Sequence, residues 1–419
     1  MIRSKESRKG GRRNIITGLD IGTSKIGVVI AEAIGEELQI LGVGKSRSKG
    51  LRQGVVINLD LAVRSIVQAI QEAQLTAGVE VDDVIVGIAG DHIRSVNSRG
   101  VVAVSRSDNE ITHSDVDRVI DAAKAIALPI DREVLHVLPQ EYIVDNQSGI
   151  KNPVGISGVR LEAEVHIVTG AVTSAQNIVR SVNKAGLRAV GLVLEPLASS
   201  CAVLDESEKE LGVALIDLGG GTTDIALFYD GAIRHSAVIS LGGQNVTNDI
   251  ALGLRTPLEQ AEEIKIKYGC CHEEMISKDE RFSVPGIGGR EPREVSVSSL
   301  ASIIQPRMEE IMGLAAKEIK RSEYGELIGA GVVLTGGGSL LDGSERLAEE
   351  IFGLSARLGV PKGVRGLTEG ISTPVFATGV GLVLYGWNNE ESLREFGGEE
   401  SGLFNRIYQW MKNIVNEYF

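Results

Sequence analysis

One short pattern occurs twice in this chain of 419 residues: a β-branched run, an aspartate at its end, a turn of glycine and hydroxyl residues, and a second β-branched run. The first copy joins residues 15–19 to 25–31 through Asp20-Ile21-Gly22-Thr23-Ser24. The second, about 197 residues further on, joins 212–218, with Asp217 near its end, to 225–229 through Gly219-Gly220-Gly221-Thr222-Thr223-Asp224. Runs of this kind bounded by small turn residues read as strands, so each copy is a hairpin and the pair is an internal repeat. Two copies imply a duplicated architecture: two α/β domains facing each other across a cleft, each presenting its turn to the same ligand.

The turns suggest what that ligand is. Glycine lets backbone N–H groups approach a phosphate closely, and neighbouring hydroxyls add donors, so Gly22, Thr23, Ser24 and Lys25 in one copy and Gly219, Gly220, Gly221, Thr222 and Thr223 in the other are candidate phosphate contacts. A carboxylate cannot itself hold phosphate. It can hold the waters of a Mg²⁺ ion that bridges phosphate oxygens, which makes Asp20 and Asp217 the candidate metal anchors. A third glycine loop, Thr335-Gly336-Gly337-Gly338-Ser339, follows an apolar run at 331–334 and suits a backbone passing close to a base or ribose. The end of a P-loop is imitated by Gly44-Lys45-Ser46, but the first glycine that motif needs falls on Gln39, so the motif fails.

Charge and composition narrow the class. Asp and Glu total 56 against 43 Lys and Arg, a net charge of −13 that repels nucleic acid. Three cysteines, Cys201, Cys270 and Cys271, without metal-ligand spacing, fit a reducing compartment and a cytoplasmic protein. The six histidines show no ligand spacing either. No run of ~18 apolar residues crosses a bilayer, and the basic stretch 1–13 leads into 14–18 without the apolar core of a secretory signal. That stretch reads as a solvated basic tail.

Between the repeats the chain opens as a meander with a third strand at 37–44, followed by a helix capped by Asn58 and ending at Gly78. Residues 83–165 read as an inserted α+β subdomain with strands at 84–88, 99–104 and 134–144 and a helix at 114–127 that Pro129 ends. Residues 251–324 read as a second insertion, helical at its ends.

The three loops, in this order, resemble the phosphate-1, phosphate-2 and adenosine loops of the actin, sugar-kinase and heat-shock-chaperone ATPase superfamily. That resemblance implies ATP with Mg²⁺ in an interdomain cleft. Only about fourteen residues separate Gly44 from Asn58, too few for the early insertion of actin and its MreB-type relatives; the extra mass lies at 83–165 instead. With His136-Val137-Leu138-Pro139-Gln140-Glu141-Tyr142, Gly149 to Gly155, Gly158-Val159-Arg160 and Ala261-Glu262-Glu263-Ile264-Lys265, the chain is similar to the FtsA family of bacterial cell-division proteins. The resemblance divides it into a basic tail (1–13), subdomain 1A (14–82 and 166–200), the inserted subdomain 1C (83–165), subdomain 2A (201–250 and 327–385, the latter returning to 1A), subdomain 2B (251–326), an acidic linker (386–402) and a membrane-targeting helix (403–419). It gives Glu262 and Lys265, one turn apart, to the ribose and adenine. It places Glu195 where related ATPases position the attacking water; an acid at a helix N-terminus beside Pro196 is an equally good reading.

On a helix of ~100° per residue, Leu403, Phe404, Ile407, Tyr408, Trp410, Met411, Ile414, Val415, Tyr418 and Phe419 fill one half of the circle and polar residues the other. Such separation after an acidic tether suits a helix lying in a membrane interface, with Trp410 and Tyr418 at the headgroups, and a terminal helix docked on its own domain would show the same pattern. The family further implies self-assembly into actin-like filaments. It also implies binding of the acidic tail of the tubulin-like protein FtsZ near 251–324, recruitment of other division proteins, and a place at the mid-cell septum on the cytoplasmic side of the membrane. By charge, Arg290, Arg293 and Arg307 are candidate partners of that tail, and a solvated basic face is an equally good reading of them. A small-metabolite kinase and a pilus-assembly adaptor of the same superfamily are the rival readings.

Overall fold

The two repeated hairpins build two sheets of the same plan. A computed structural model describes residues 14–105, 108–276, 280–285, 291–367 and 369–389. In the first sheet the strand Ile15–Ile21 lies between its antiparallel hairpin partner Lys25–Ile34 and the parallel strand Asp83–Ile88, with Glu37–Arg47 and Arg365–Gly366 beyond on one side and Arg188–Leu194 on the other. In the second, Val213–Leu218 lies between its antiparallel partner Thr223–Tyr229 and the parallel strand Val332–Thr335, flanked by Ala232–Ile239 and Ala356–Leu358. Central strands with partners on both sides carry near-continuous apolar runs, and here they are buried along almost their whole length.

Each sheet has its own core. The first is covered by the helix Leu59–Ala77, whose Asn58 cap accepts the Leu61 N–H at 3.1 Å, and on its other face by the helices Glu195–Val203 and Ala377–Asn388. The second packs on the helices Gly243–Leu254, Leu258–Tyr268 and Val297–Arg321. The helix Gly243–Leu254 begins before the expected boundary at 251 and crosses it.

The insertion in the first half is a separate four-stranded sheet, in the order Arg94–Ala103, Arg160–Ala171, Arg132–Val144, Gln147–Ile150, under the helix His113–Lys124 and with a core of its own. Its edges differ from the expected 83–165. The strand Asp83–Ile88 belongs to the first sheet, and the strand Arg160–Ala171 carries the insertion six residues further. The strand expected from 99 starts at Arg94; in 94–98 the lone apolar residue, Val96, is exposed among Arg94, Ser95, Asn97 and Ser98, so the apolar signal of a strand is weak there. The helix expected to reach Ala127 stops at Lys124, so the chain has left the helix well before Pro129.

The helix Ala377–Asn388 runs into the segment expected to be tether from Gly386. Most of that linker and the whole of 403–419 lie outside the described residues, as do 1–13 and Arg290.

Candidate functional site

The two hairpin turns meet. A Cβ placed on Gly220 would fall 2.0 Å from Ser24 Oγ, and one on Gly221 would fall 2.6 Å from Thr23 Oγ1, so only glycine allows this approach. Above the turns is a cavity of about 580 Å³, within the range of small-ligand sites. Its wall brings together Asp20, Gly22, Thr23, Ser24 and Lys25 from the first half with Asp217, Gly219, Gly220, Gly221, Thr222, Glu262, Lys265, Gly336, Gly337 and Gly338 from the second, and Glu195 from the helix between them. Two expected contacts are absent from that wall. Thr223 is fully buried with its hydroxyl donating to Leu241 O at 2.9 Å, and Ser339 donates to Gly336 O at 2.8 Å, so both brace their loops from behind.

Carboxylates collect on the floor. Asp20, Asp217 and Asp224 are all buried, and Glu195 faces them from the first residue of its helix. Burial pushes the Asp217 carboxyl up to about 6 and that of Asp224 up to about 7, the latter raised further by Asp217. Burial also raises Glu195 well above the carboxylate range, reinforced by Asp20, Asp224 and Asp217. Lys25 answers part of this charge: its Nζ lies 2.9 Å from Asp20 Oδ2 and donates to Val375 O at 2.6 Å. The hydroxyls of Ser199 and Thr378, from the two helices behind the cleft, donate to Asp217 Oδ2 at 3.0 and 3.3 Å.

Such a floor favours a cation. Asp224 Oδ2 accepts from Thr222 at 3.0 Å, yet its Oδ1 is buried without a partner. No three acidic, histidine or cysteine side chains converge as direct metal ligands among the described residues. The donor set therefore fits an ion that keeps its waters, as Mg²⁺ does, rather than one stripped by a protein cage.

The far end of the cavity is different. Lys265 Nζ pairs with Glu262 Oε2 at 2.7 Å and donates to Thr247 Oγ1 at 2.9 Å and Gly243 O at 3.1 Å. Beside this network Ile266, 75% exposed on the helix Leu258–Tyr268, and Leu340, 48% exposed at the end of the helical turn Gly337–Leu340, line the same space, a slot of apolar walls next to polar groups. Gly336 enters it with φ +78°, where a Cβ would also strike Asp217 Oδ1 at 2.3 Å. Arg47 and Glu259 pair at 2.7 Å across the two halves in a neighbouring cavity that shares Ser24 and Glu262 with this one, and Gln53 donates to Ser240 O at 2.9 Å, also across the halves.

Sequence reasoning missed Asp224, Ser199, Thr378, Ile266 and Leu340. Asp224 had a signal, since it stands in register opposite Asp217 across the second hairpin. The others sit on helices and turns whose local sequence gives no cue. Two expected charge partners in the second insertion are engaged within the chain: Arg307 binds Asp249 at 2.6 and 3.2 Å, and Arg293 donates to Leu254 O at 2.6 Å.

Comparison with known proteins agrees with this architecture. A family model described as "Cell division protein FtsA" matches residues 214–381, and one described as "SHS2 domain inserted in FTSA" matches 90–169, the sheet found within the first half. Cell division protein FtsA of Pseudomonas aeruginosa is 52% identical over 373 residues, 89% of each chain. That of Neisseria meningitidis is 44% identical over 414 residues, covering 96% of this chain and 99% of its own. Among solved structures, a chain of the PilM–PilN type IV pilus biogenesis complex superposes with a TM-score of 0.64 at 19% identity, covering 88% of this chain and 98% of that one. MreB5 of Spiroplasma citri bound to ADP superposes with a TM-score of 0.56 at 13% identity, covering 92% and 99%. The structural likenesses show the actin-like fold, and the sequence identity, over nearly the whole chain, shows that it belongs to the FtsA family of cell-division proteins.

Proposed function

We propose that this chain is an ATP-binding adaptor of cell division that assembles with its own copies and fastens FtsZ filaments to the cytoplasmic face of the membrane at the septum. The observation that carries the reading is the single cavity lined by glycine loops from both halves over a buried carboxylate floor. Backbone N–H groups of the turns at 22–24 and 219–222 would cradle the phosphates, and the slot between Ile266 and Leu340 would receive the base, with the ribose toward Glu262 and Lys265. Asp20 and Asp217 would hold Mg²⁺ through its waters, with Asp224 as a further acceptor, and the ion would supply neutralisation of the phosphate charge.

Glu195 heads its helix facing that floor, where its carboxyl would orient a water toward the terminal phosphate of a bound nucleotide. Because one ligand touches both halves, nucleotide state sets how they sit, which is what a polymerising adaptor needs. Residues 403–419 supply the membrane contact; one such helix binds reversibly, and many in a polymer bind firmly by avidity. The FtsZ tail docks on the second insertion, where Arg293 is exposed and donates from one of its nitrogens to Leu254 O, while Arg307 is held by Asp249. Relatives 52% and 44% identical favour the adaptor over a metabolite kinase or a pilus-assembly protein.

The test is liposome co-sedimentation of the full chain and of a version ending at Gly402, each with Mg-ATP and fluorescent FtsZ. The proposal expects the full chain alone to pellet and to carry FtsZ with it. Both versions staying soluble, without recruiting FtsZ, would overturn it.

A further inference from the structure

The segment His136 to Tyr142, which carries much of the family resemblance, has no part in the cleft wall. It lies in the strand Arg132–Val144 of the inserted sheet, and two of its side chains reach out of that sheet in different directions. His136, 1% exposed, accepts the backbone N–H of Leu194 on Nε2 at 2.9 Å. Leu194 ends a strand of the first sheet and directly precedes Glu195. Burial pulls the His136 imidazole down to about 4, so the ring is neutral at physiological pH and Nε2 can act as an acceptor. Gln140, four residues along, donates to Ile233 O in the second half's sheet at 2.8 Å.

The neighbouring strands make the same crossing. Ser95 Oγ donates to Ser236 O at 2.8 Å, Asn97 Nδ2 donates to Arg234 O at 3.1 Å, and His166 bridges Asn97 Oδ1 and Ser236 Oγ at 2.7 and 2.9 Å. These contacts run from side chains and do not continue a backbone ladder, so the inserted sheet rests on the second half without being fused to it. A cavity of about 440 Å³, lined by Leu138, Pro139, Leu197, Phe228 and Ile233, leaves the strand room to move on that side.

We infer that the strand Arg132–Val144 is a strut between the cleft and the inserted subdomain: His136 is a positioning residue for Glu195, and Gln140 ties the same strand to the second half. Rotation of the halves about a bound nucleotide pulls on both ends of this strand and moves the inserted sheet. By reciprocity, a protein held on that sheet changes nucleotide affinity. The transmission by nucleotide rests on the reading of the cleft given above; the hold of His136 on Leu194 does not.

Hydrogen exchange on the full chain, as wild type, His136→Gln, His136→Ala and Gln140→Ala, with and without Mg-ATP, tests both parts. Without nucleotide, His136→Ala should speed exchange in the peptide containing Leu194 about tenfold, the loss of one ordinary hydrogen bond. His136→Gln, whose amide oxygen accepts the same N–H, should stay within about threefold of wild type. With Mg-ATP, exchange in 132–144 should slow in wild type and His136→Gln but not in His136→Ala or Gln140→Ala, while the peptides of the glycine loops are protected in all four. Equal behaviour of the alanine and glutamine variants, or a strand indifferent to nucleotide that protects the loops, overturns the inference. Glycine loops that Mg-ATP leaves unprotected in wild type count against the nucleotide reading alone, and the nucleotide-free comparison then decides the role of His136.

Discussion

Ser24 and Gly220 stand at the tips of the two repeated hairpins, so close that one added carbon on Gly220 would lie 2.0 Å from the Ser24 hydroxyl. The halves therefore meet at the place where the phosphates are expected. Gly220→Ala should wedge the tips apart while leaving each sheet intact. Its expected effect is a loss of roughly tenfold or more in ATP affinity, worth about 1.4 kcal/mol, measured by titration with a fluorescent analogue. Unchanged affinity would show that the tips do not share a ligand.

Ser199 reaches Asp217 from a helix rather than from either loop, and its hydrogen bond holds the Asp217 carboxyl down against the effect of burial. Ser199→Ala should destabilise the fold by about 1.5–3 kcal/mol, the range for a bond to a charged group. It should also raise the Asp217 pKa further and weaken Mg²⁺ binding at pH 7, checked by thermal unfolding with and without the ion.

The raised carboxylates give the nucleotide-free protein a pH signature. Asp224 titrates at about 7 in the folded chain, against an ordinary value of 3.8. Between those values the folded state holds a proton that the unfolded state has lost, so this group's contribution to stability falls as pH rises through the window. The buried imidazoles of His136 and His166, lowered to about 4 and 3, act in the opposite sense below 6.5. Asp224→Asn isolates the acid: the variant should gain on wild type by more than ~1 kcal/mol between pH 4.5 and 8 in denaturant titrations. A constant difference would contradict the assignment.

Arg47 and Glu259 pair across the two halves beside the nucleotide cavity, yet both are more than 60% exposed, so the pair adds at most ~1 kcal/mol to stability. Its effect should appear in kinetics. Glu259→Arg should release nucleotide a few-fold faster with the unfolding midpoint nearly unchanged, and adding Arg47→Glu should restore the slow rate. Stopped-flow chase of a fluorescent nucleotide measures both.

What was legible in the sequence was local. Each hairpin announces itself within about eighteen residues, because strand, aspartate, glycine turn and strand are contiguous, and the duplication follows from seeing the pattern twice. Asp224 lies inside the second motif, but its place opposite Asp217 is a matter of register rather than spelling. Ser199 and Thr378 are 179 positions apart and reach the same carboxylate oxygen only because two helices pack behind the cleft, so no window of sequence contains the relationship. The polar start of the strand at Arg94 was invisible for another reason. Its side chains serve a crossing to the second half, where Ser95 and Asn97 hydrogen-bond to Ser236 O and Arg234 O, a polar contact that gives no apolar signal. The segment from His136 to Tyr142 signalled kinship in the sequence, and only the geometry shows what two of its side chains hold.

The central claim, that both halves grip one Mg-nucleotide, is tested most directly by equilibrium titration of the full chain with a fluorescent ATP analogue, with Mg²⁺ and with chelator, for wild type, Asp20→Asn and Asp217→Asn. The account predicts Mg²⁺-dependent binding that each substitution, one in each half, weakens by about tenfold or more. Binding that ignores Mg²⁺, or that one of the two substitutions leaves untouched, would contradict it.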